Sequence, residues 1–222
     1  IRSPSTVDVA RADYFVEEVR RGLVTRYGER NLYDGGLSVR TTLDSKLQGI
    51  ADLAIRYGLC AYDRRHGWRG PLGRVDFQND WKLSLQKFAL PSDISEWRIA
   101  IVADLGNKGA KITLDDGTTG ILPLEEMLWA RKFKGTGKRG PPVREPADVL
   151  RVGDVIAVEA LFQTQKVEGS ELRLFSLRQI PKINGGIVVM DPHTGRVLAM
   201  SGGFSAELSE FNRVTQAKRQ PG

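Results

Sequence analysis

Two runs of consecutive apolar residues, Ile187-Val188-Val189-Met190 and Val197-Leu198-Ala199-Met200, flank Asp191-Pro192-His193-Thr194-Gly195 near the end of the chain. The segment between them is built from turn-forming residues, so the two runs read as the arms of a β-hairpin. A hairpin with one face in water alternates apolar and polar side chains. This one does not: Arg196 alone breaks the pattern, and both faces need cover. Gly202-Gly203 closes the second arm, and the stretch that follows, with Phe204 and Phe211, is too short to supply that cover. The hairpin therefore predicts a sheet whose covering elements lie mostly outside these residues.

The beginning of the chain reads as α/β. Asp13 can cap a helix whose apolar positions Val16, Val19 and Leu23 recur at helical spacing, and Gly28 is a natural stop. Asp34-Gly35-Gly36 makes a turn. Leu37, Val39, Thr41 and Leu43 then alternate with Ser38, Arg40 and Thr42, the pattern of a strand with one buried face. Asp44 or Ser45 caps a second helix, and Ser45 with Gln48 fits a capping box. Leu47, Ile50, Ala51, Ala54 and Ile55 form its inner stripe. The stripes of these two helices can cover one face of the late hairpin and are too few for both. Residues 62–73, rich in Arg, Gly and aromatic side chains, read as an irregular exit.

The middle of the chain changes character. Residues 98–103, 110–114, 120–122, 155–162 and 171–180 are short β-prone runs, with Asp115-Asp116-Gly117 as a hairpin turn between the second and third. Residues 124–132 can form a short helix after Pro123. Five short strands with one helix after the third is the order of an OB-type barrel, and a generic small β-barrel or sandwich fits nearly as well. The fold class expected is therefore mixed: an α/β linker over 1–75, an inserted OB-like five-stranded β-barrel over 76–182, and the opening strands of a further sheet over 183–222.

Composition narrows the function classes. With 41% hydrophobic and 27% charged residues, the chain has the balance of a soluble globular protein. No apolar run approaches the roughly 18 residues a membrane helix needs. Cys60 is the single cysteine and His66 and His193 the two histidines, which excludes a disulfide framework and a Cys/His zinc site. No basic–apolar–small pattern opens the chain, so no signal peptide is expected. The start at Ile1 and the close on Gln220-Pro221-Gly222 suggest a piece of a longer chain.

The net charge of +6 is spread thinly, with 13 basic against 9 acidic residues in 1–75, 16 against 15 in 76–182, and 4 against 3 in 183–222. One run departs from this. Arg131, Lys132, Lys134, Lys138, Arg139 and Arg144 follow one another with no acid among them, in a stretch that Gly135, Gly137, Gly140, Pro141 and Pro142 make a loop. It reads either as a contact patch for an anionic partner or as a solvated loop of a basic protein.

No catalytic constellation stands out. Each histidine lies beside turn-forming residues, unlike the oriented base of a Ser-His-Asp set. Gly135-Thr136-Gly137-Lys138 lacks the earlier Gly of a phosphate loop, and Arg139 replaces its Ser/Thr. Ser84-Leu85-Gln86-Lys87 matches the Ser-x-x-Lys of serine acyl-enzymes, but chance alone supplies such a match in a chain with 12 Ser and 11 Lys. The companion Ser-x-Asn and Lys-Thr/Ser-Gly motifs are absent from the sequence.

Three segments together resemble one family. Gly35-Gly36-Leu37-Ser38-Val39-Arg40-Thr41-Thr42-Leu43-Asp44 with Leu47-Gln48 is similar to the linker signature of class A, bifunctional penicillin-binding proteins. Residues 186–200 resemble the first hairpin of their transpeptidase domain. Phe211-Asn212-Arg213 and Gln216-Ala217-Lys218-Arg219-Gln220-Pro221-Gly222 resemble the run leading into the catalytic serine. The middle is similar, by strand pattern, to the OB-like domain that such proteins of Gram-negative bacteria insert between linker and transpeptidase.

The resemblance implies part of a periplasmic, inner-membrane-anchored peptidoglycan synthase. Its N-terminal glycosyltransferase would polymerise lipid II, and its C-terminal serine DD-transpeptidase would cross-link stem peptides and be acylated by penicillin. The family pattern places the nucleophilic Ser directly after Gly222, so no catalytic residue is expected within the chain, and no cofactor or metal. The region itself is expected to be a soluble scaffold that meets the rest of the parent chain and other cell-wall or outer-membrane regulatory proteins. Arg131, Lys132, Lys134, Lys138 and Arg139 are the candidate contacts. The rival readings are a nucleic-acid-binding OB module and a free-standing envelope regulator. The first needs aromatics interleaved with basic residues, and Trp97, Phe162 and Phe175 are few, so no nucleic-acid partner is expected.

Overall fold

A computed structural model of the chain describes residues 11–76, 81–135, 137–167 and 170–218. They fall into two compact units, Ile1–Leu59 with Ile183–Gly222, and Cys60–Lys182. The sequence reading starts the barrel at residue 76; here residues 60–75 already group with the sheet, and 183–222 group with the first helices.

In the first unit, α1 (Asp13–Tyr27) begins without a side-chain cap, Asp13 lying in its first turn, and stops at Gly28, whose φ is 80°. Its core-facing side chains are Ala12, Phe15 and Val19, which pack with Leu43, Val197, Met200 and Val214. Val16, expected on that stripe, is 58% exposed. A single turn, α2 (Glu29–Asp34), follows. The strand expected over 37–43 does not form. The Thr42 hydroxyl of that segment donates to the Val197 carbonyl, and the Asp44 N–H just after it donates to that of Leu198 at 2.8 Å, without a ladder.

Helix α3 (Ser45–Arg64) is capped by Asp44, whose Oδ1 accepts the N–H groups of Lys46 and Leu47. The Ser45–Gln48 capping box is not made. Gln48 is buried instead, and its amide donates to the Met200 carbonyl at 3.0 Å and accepts the Met200 N–H at 2.9 Å. The buried stripe of α3 in this unit is accordingly Gln48, Ala51, Ile55 and Leu59, while Ile50 and Ala54 face outward.

The expected hairpin forms late in the chain, from strands of residues 187–190 and 197–201, with Val188 opposite Met200. Ala199 and Met200 are buried, but Val188 and Met190 are 42% and 51% exposed. After it, the Tyr14 hydroxyl donates to the carbonyls of Ser205 and Ser209, and Asn212 packs so closely on Gly202 that a Cβ there would lie 2.4 Å from its Oδ1. Arg219-Gln220-Pro221-Gly222, the end of the motif leading toward a catalytic serine, lies outside the described residues.

The second unit is built on a mostly antiparallel sheet. Its strands are β1 (Gly73–Arg74), β2 (Trp97–Gly106), β3 (Gly109–Leu114), β4 (Thr119–Pro123), β5 (Asp154–Val167) and β6 (Ser170–Arg178), with a short α4 (Trp81–Leu85) after β1. The five expected β-prone runs fall on β2 to β6. β2 pairs with β3, β3 with β4, and β4 with β6 in parallel; β6 pairs with β5, and β5 again with β2. Alternation explains the core: Ala100, Val102, Ile112, Leu122, Ile156, Val158, Phe175 and Leu177 point inward with Met127 and Leu150. The opposite face of β2 and β5, at Ile101 and Val155, is covered by Val75 and Leu85. The helix expected over 124–132 is a 3₁₀ turn, Leu124–Met127. The unit reaches back before residue 76 because β1 pairs with β5 and Trp68 bridges Lys132.

Candidate functional site

Cationic side chains gather on one side of the second unit, around the basic run and the cleft beside it. The run folds as a small lobe. The Gly140 N–H donates to the Lys132 carbonyl at 2.7 Å, Phe133 bridges Arg139, and the Lys134 N–H donates to the Lys138 carbonyl. The turn at its tip needs positive φ at Gly135 (103°) and Gly137 (72°), which is why the run is glycine-rich. Thr136 lies outside the described residues.

The five candidate contacts divide. Lys132, Lys134, Lys138 and Arg139 are exposed. Arg131 is half-buried and works inside the lobe: its Nε donates to the Gly140 carbonyl at 2.7 Å, and its own carbonyl accepts the Trp68 N–H. The lobe is thereby tied to Trp68, whose ring meets Trp129 edge-on at 5.8 Å.

Beside the lobe lies a cleft of about 490 Å³. Five cations line it, Arg69, Arg74, Lys132, Arg151 and Lys182, against the carboxylates Asp148 and Asp154. Two buried carboxylates position this wall. Asp63 accepts both terminal nitrogens of Arg69 at 2.8–2.9 Å, the Gln179 amide at 2.7 Å and the Lys182 N–H at 3.2 Å. Arg69 also donates to the Ile180 carbonyl, so the last turn of α3 and the chain after β6 are bound at one point. Removing either charge of a pair this buried leaves the other uncompensated, a loss of about 3–5 kcal/mol. Asp154 accepts Nε and a terminal nitrogen of Arg74 at 2.9 and 2.7 Å, and the Arg151 N–H at 2.8 Å. Asp148 accepts the N–H groups of Arg144 and Glu145, which hold its carboxyl below the usual carboxylate range.

Sequence reasoning found Lys132 by its run and missed Arg69, Arg74, Arg151 and Lys182. They are scattered over more than a hundred positions, and no local pattern marks them. The residues considered for catalysis stay apart. Ser84 lies near the end of the short α4, and Lys87 just beyond it donates its backbone N–H to the Ser84 carbonyl at 3.4 Å, with no side-chain bond between them among the described residues. The His66 ring bonds to the Tyr62 carbonyl through Nδ1 at 2.9 Å, and His193 is exposed in the hairpin turn. Cys60 is shielded, and burial pushes its thiol up to about 11. Among the described residues, no group of three His, Cys, Asp or Glu side chains is placed to hold a metal ion. The aromatics weighed for nucleic-acid stacking do not form a platform: Phe175 is core, the Trp97 indole donates to Glu159, and Phe162 stands alone in solvent. No helix among the described residues is long and apolar enough to cross a membrane.

Residues 68–183, the sheet and its lobe, match the family described as the penicillin-binding protein OB-like domain. The chain belongs to the class A penicillin-binding proteins and carries their OB-like region. Penicillin-binding protein 1A of Rickettsia prowazekii is 38% identical over 223 residues, covering all of this chain and 26% of the relative. The protein of that name from Pseudomonas aeruginosa is 38% identical over 95% of the chain and 24% of its own length. The crystal structure of penicillin-binding protein 1A from Haemophilus influenzae matches with a TM-score of 0.67 at 34% identity, over 93% of this chain and 28% of that one. The chain thus spans about a quarter of the length of the relatives it matches.

Proposed function

We propose that this chain is the inter-domain region of a bifunctional peptidoglycan synthase. The parent would polymerise lipid II through a glycosyltransferase and cross-link stem peptides through a serine DD-transpeptidase, on the periplasmic side of the bacterial inner membrane. Within it, the first helices are the linker, Cys60–Lys182 an OB-like barrel of five main strands, and residues 183–222 the opening of the transpeptidase domain. One observation carries the reading: similarity to penicillin-binding protein 1A runs through the whole chain rather than its OB-like part alone. The ring of pairings β5-β2-β3-β4-β6-β5 supports the barrel, with β4 and β6 parallel as the topology requires.

The role of the region is scaffold and partner contact, without catalytic residues or cofactor of its own. The lobe cations Lys132, Lys134, Lys138 and Arg139 meet other cell-wall or outer-membrane regulatory proteins. Deleting 68–183 from the parent chain tests this. The expected result is acylation by labelled penicillin at an unchanged rate, with loss of partner cross-linking. A deletion protein that stays folded but no longer reacts with penicillin would overturn the scaffold reading.

A further inference from the structure

The cleft beside the lobe holds more positive charge than its own carboxylates answer. Arg69 and Arg74 are paired with Asp63 and Asp154. Asp148 keeps its charge while its Oδ2 accepts two backbone N–H groups, so five cations stand against the carboxylates of Asp63, Asp148 and Asp154. Lys132, Arg151 and Lys182 reach the same cleft with no side-chain partner among the described residues. The backbone is fixed at two of these positions, because the N–H groups of Arg151 and Lys182 themselves donate to Asp154 and Asp63.

The same walls also carry apolar side chains, Pro71, Val149 and the half-exposed ring of Phe133. The volume, about 490 Å³, lies within the roughly 300–1,000 Å³ of small-ligand sites. It admits a few residues of extended chain and not a folded surface. From this charge and shape we infer that the cleft docks a short acidic peptide segment of a partner protein. Carboxylates of the segment face Lys132, Arg151 and Lys182, and an apolar side chain between them lies against Phe133 and Pro71. Complementary charge supplies specificity and a fast encounter. A membrane surface is flat and would meet the outer cations of the lobe, Lys134, Lys138 and Arg139, before those of a concave cleft. A polyphosphate would gain nothing from the apolar wall. The inference rests on the reading of this region as a partner-contact module, and names the chemistry of the partner.

The test uses the 222-residue chain and a fluorescent octapeptide alternating Asp and Glu with Leu and Phe, read by anisotropy. The triple variant Lys132→Ala/Arg151→Ala/Lys182→Ala is expected to weaken binding at least about tenfold, and Lys134→Ala/Lys138→Ala/Arg139→Ala by no more than about twofold. Single Arg151→Gln and Lys182→Gln variants, each expected to cost about threefold, replace the triple if it does not fold. Tripolyphosphate and vesicles containing phosphatidylglycerol serve as competitors and should displace the peptide poorly. Binding that survives in the cleft variants, or is lost only in the lobe variant, overturns the inference. So does displacement by either competitor as effective as by unlabelled peptide, or no peptide binding at all. Penicillin acylation of the parent chain separates the two levels: if it persists while the peptide fails to bind, the cleft assignment falls alone, and if it is absent, the synthase reading falls with it.

Discussion

Gly120 lies where β4 passes under the ring of Phe175, and a Cβ there would be 2.3 Å from that ring and 3.1 Å from the Arg173 carbonyl. The parallel pairing of β4 with β6 depends on that approach, since Gly120 is opposite Arg173. Gly49 is the contrast: it sits inside α3 with nothing near its missing Cβ. Gly120→Ala is expected to destabilise the chain by about 1–3 kcal/mol through overpacking, and Gly49→Ala to stabilise it by about 0.5–1 kcal/mol. Urea unfolding of the two variants checks the opposite signs. Asp52 adds a pH dependence. Burial raises its carboxyl above the ordinary value of 3.8, although Gln48 donates to it at 3.1 Å. The folded chain therefore holds this proton more firmly than the unfolded chain. The stability it gives is full below 3.8 and is lost as pH rises through the raised value. Asp52→Asn should raise Tm at pH 7 and converge with the parent sequence as the pH falls below 4. A lower Tm for Asp52→Asn at pH 7 would contradict this.

At the scale of elements, periodicity was legible where a strand's neighbours are close in sequence and misleading where they are distant. The strands β2 to β6 follow from alternation and turn residues alone. On α1, Ala12-Phe15-Val19 and Val16-Val19-Leu23 are both helical stripes, and the choice between them is made by Met200 and Val214, nearly two hundred residues on. Gln48 reads as a surface cap because its type is polar. It is buried because its amide pairs with the Met200 backbone as a neighbouring strand would. The cleft was legible only at Lys132, since its cations come from stretches more than a hundred residues apart, Arg74 and Lys182 being tied to Asp154 and Asp63 over 80 and 119 positions. The late hairpin shows the same dependence in its exposure, with Val188 and Met190 uncovered. Hydrogen exchange should find the amides of Val188, Val189 and Leu198 less protected than those of Ile112 and Val158 in a monomeric sample. Equal protection would mean that the hairpin needs no cover beyond this chain.

At the scale of the molecule, the two units differ in how complete they are. The Cys60–Lys182 unit closes its core on itself, with Ile112, Leu122, Leu150, Ile156 and Leu177 fully buried. The other unit leaves Ile50, Leu53 and Tyr57 of α3 exposed along one stripe, together with the open side of the hairpin. Apolar area of that extent marks an interface. In the proposed synthase its complement is the rest of the proposed transpeptidase domain. The proposed division of labour is a contact module between two catalytic parts, with the acylated serine elsewhere in the parent. Mass-spectrometric mapping of the parent chain after reaction with labelled penicillin tests that division most directly. The account predicts a stoichiometric adduct on a serine outside residues 1–222 and none within them. An adduct on Ser84 that disappears in Ser84→Ala would contradict it.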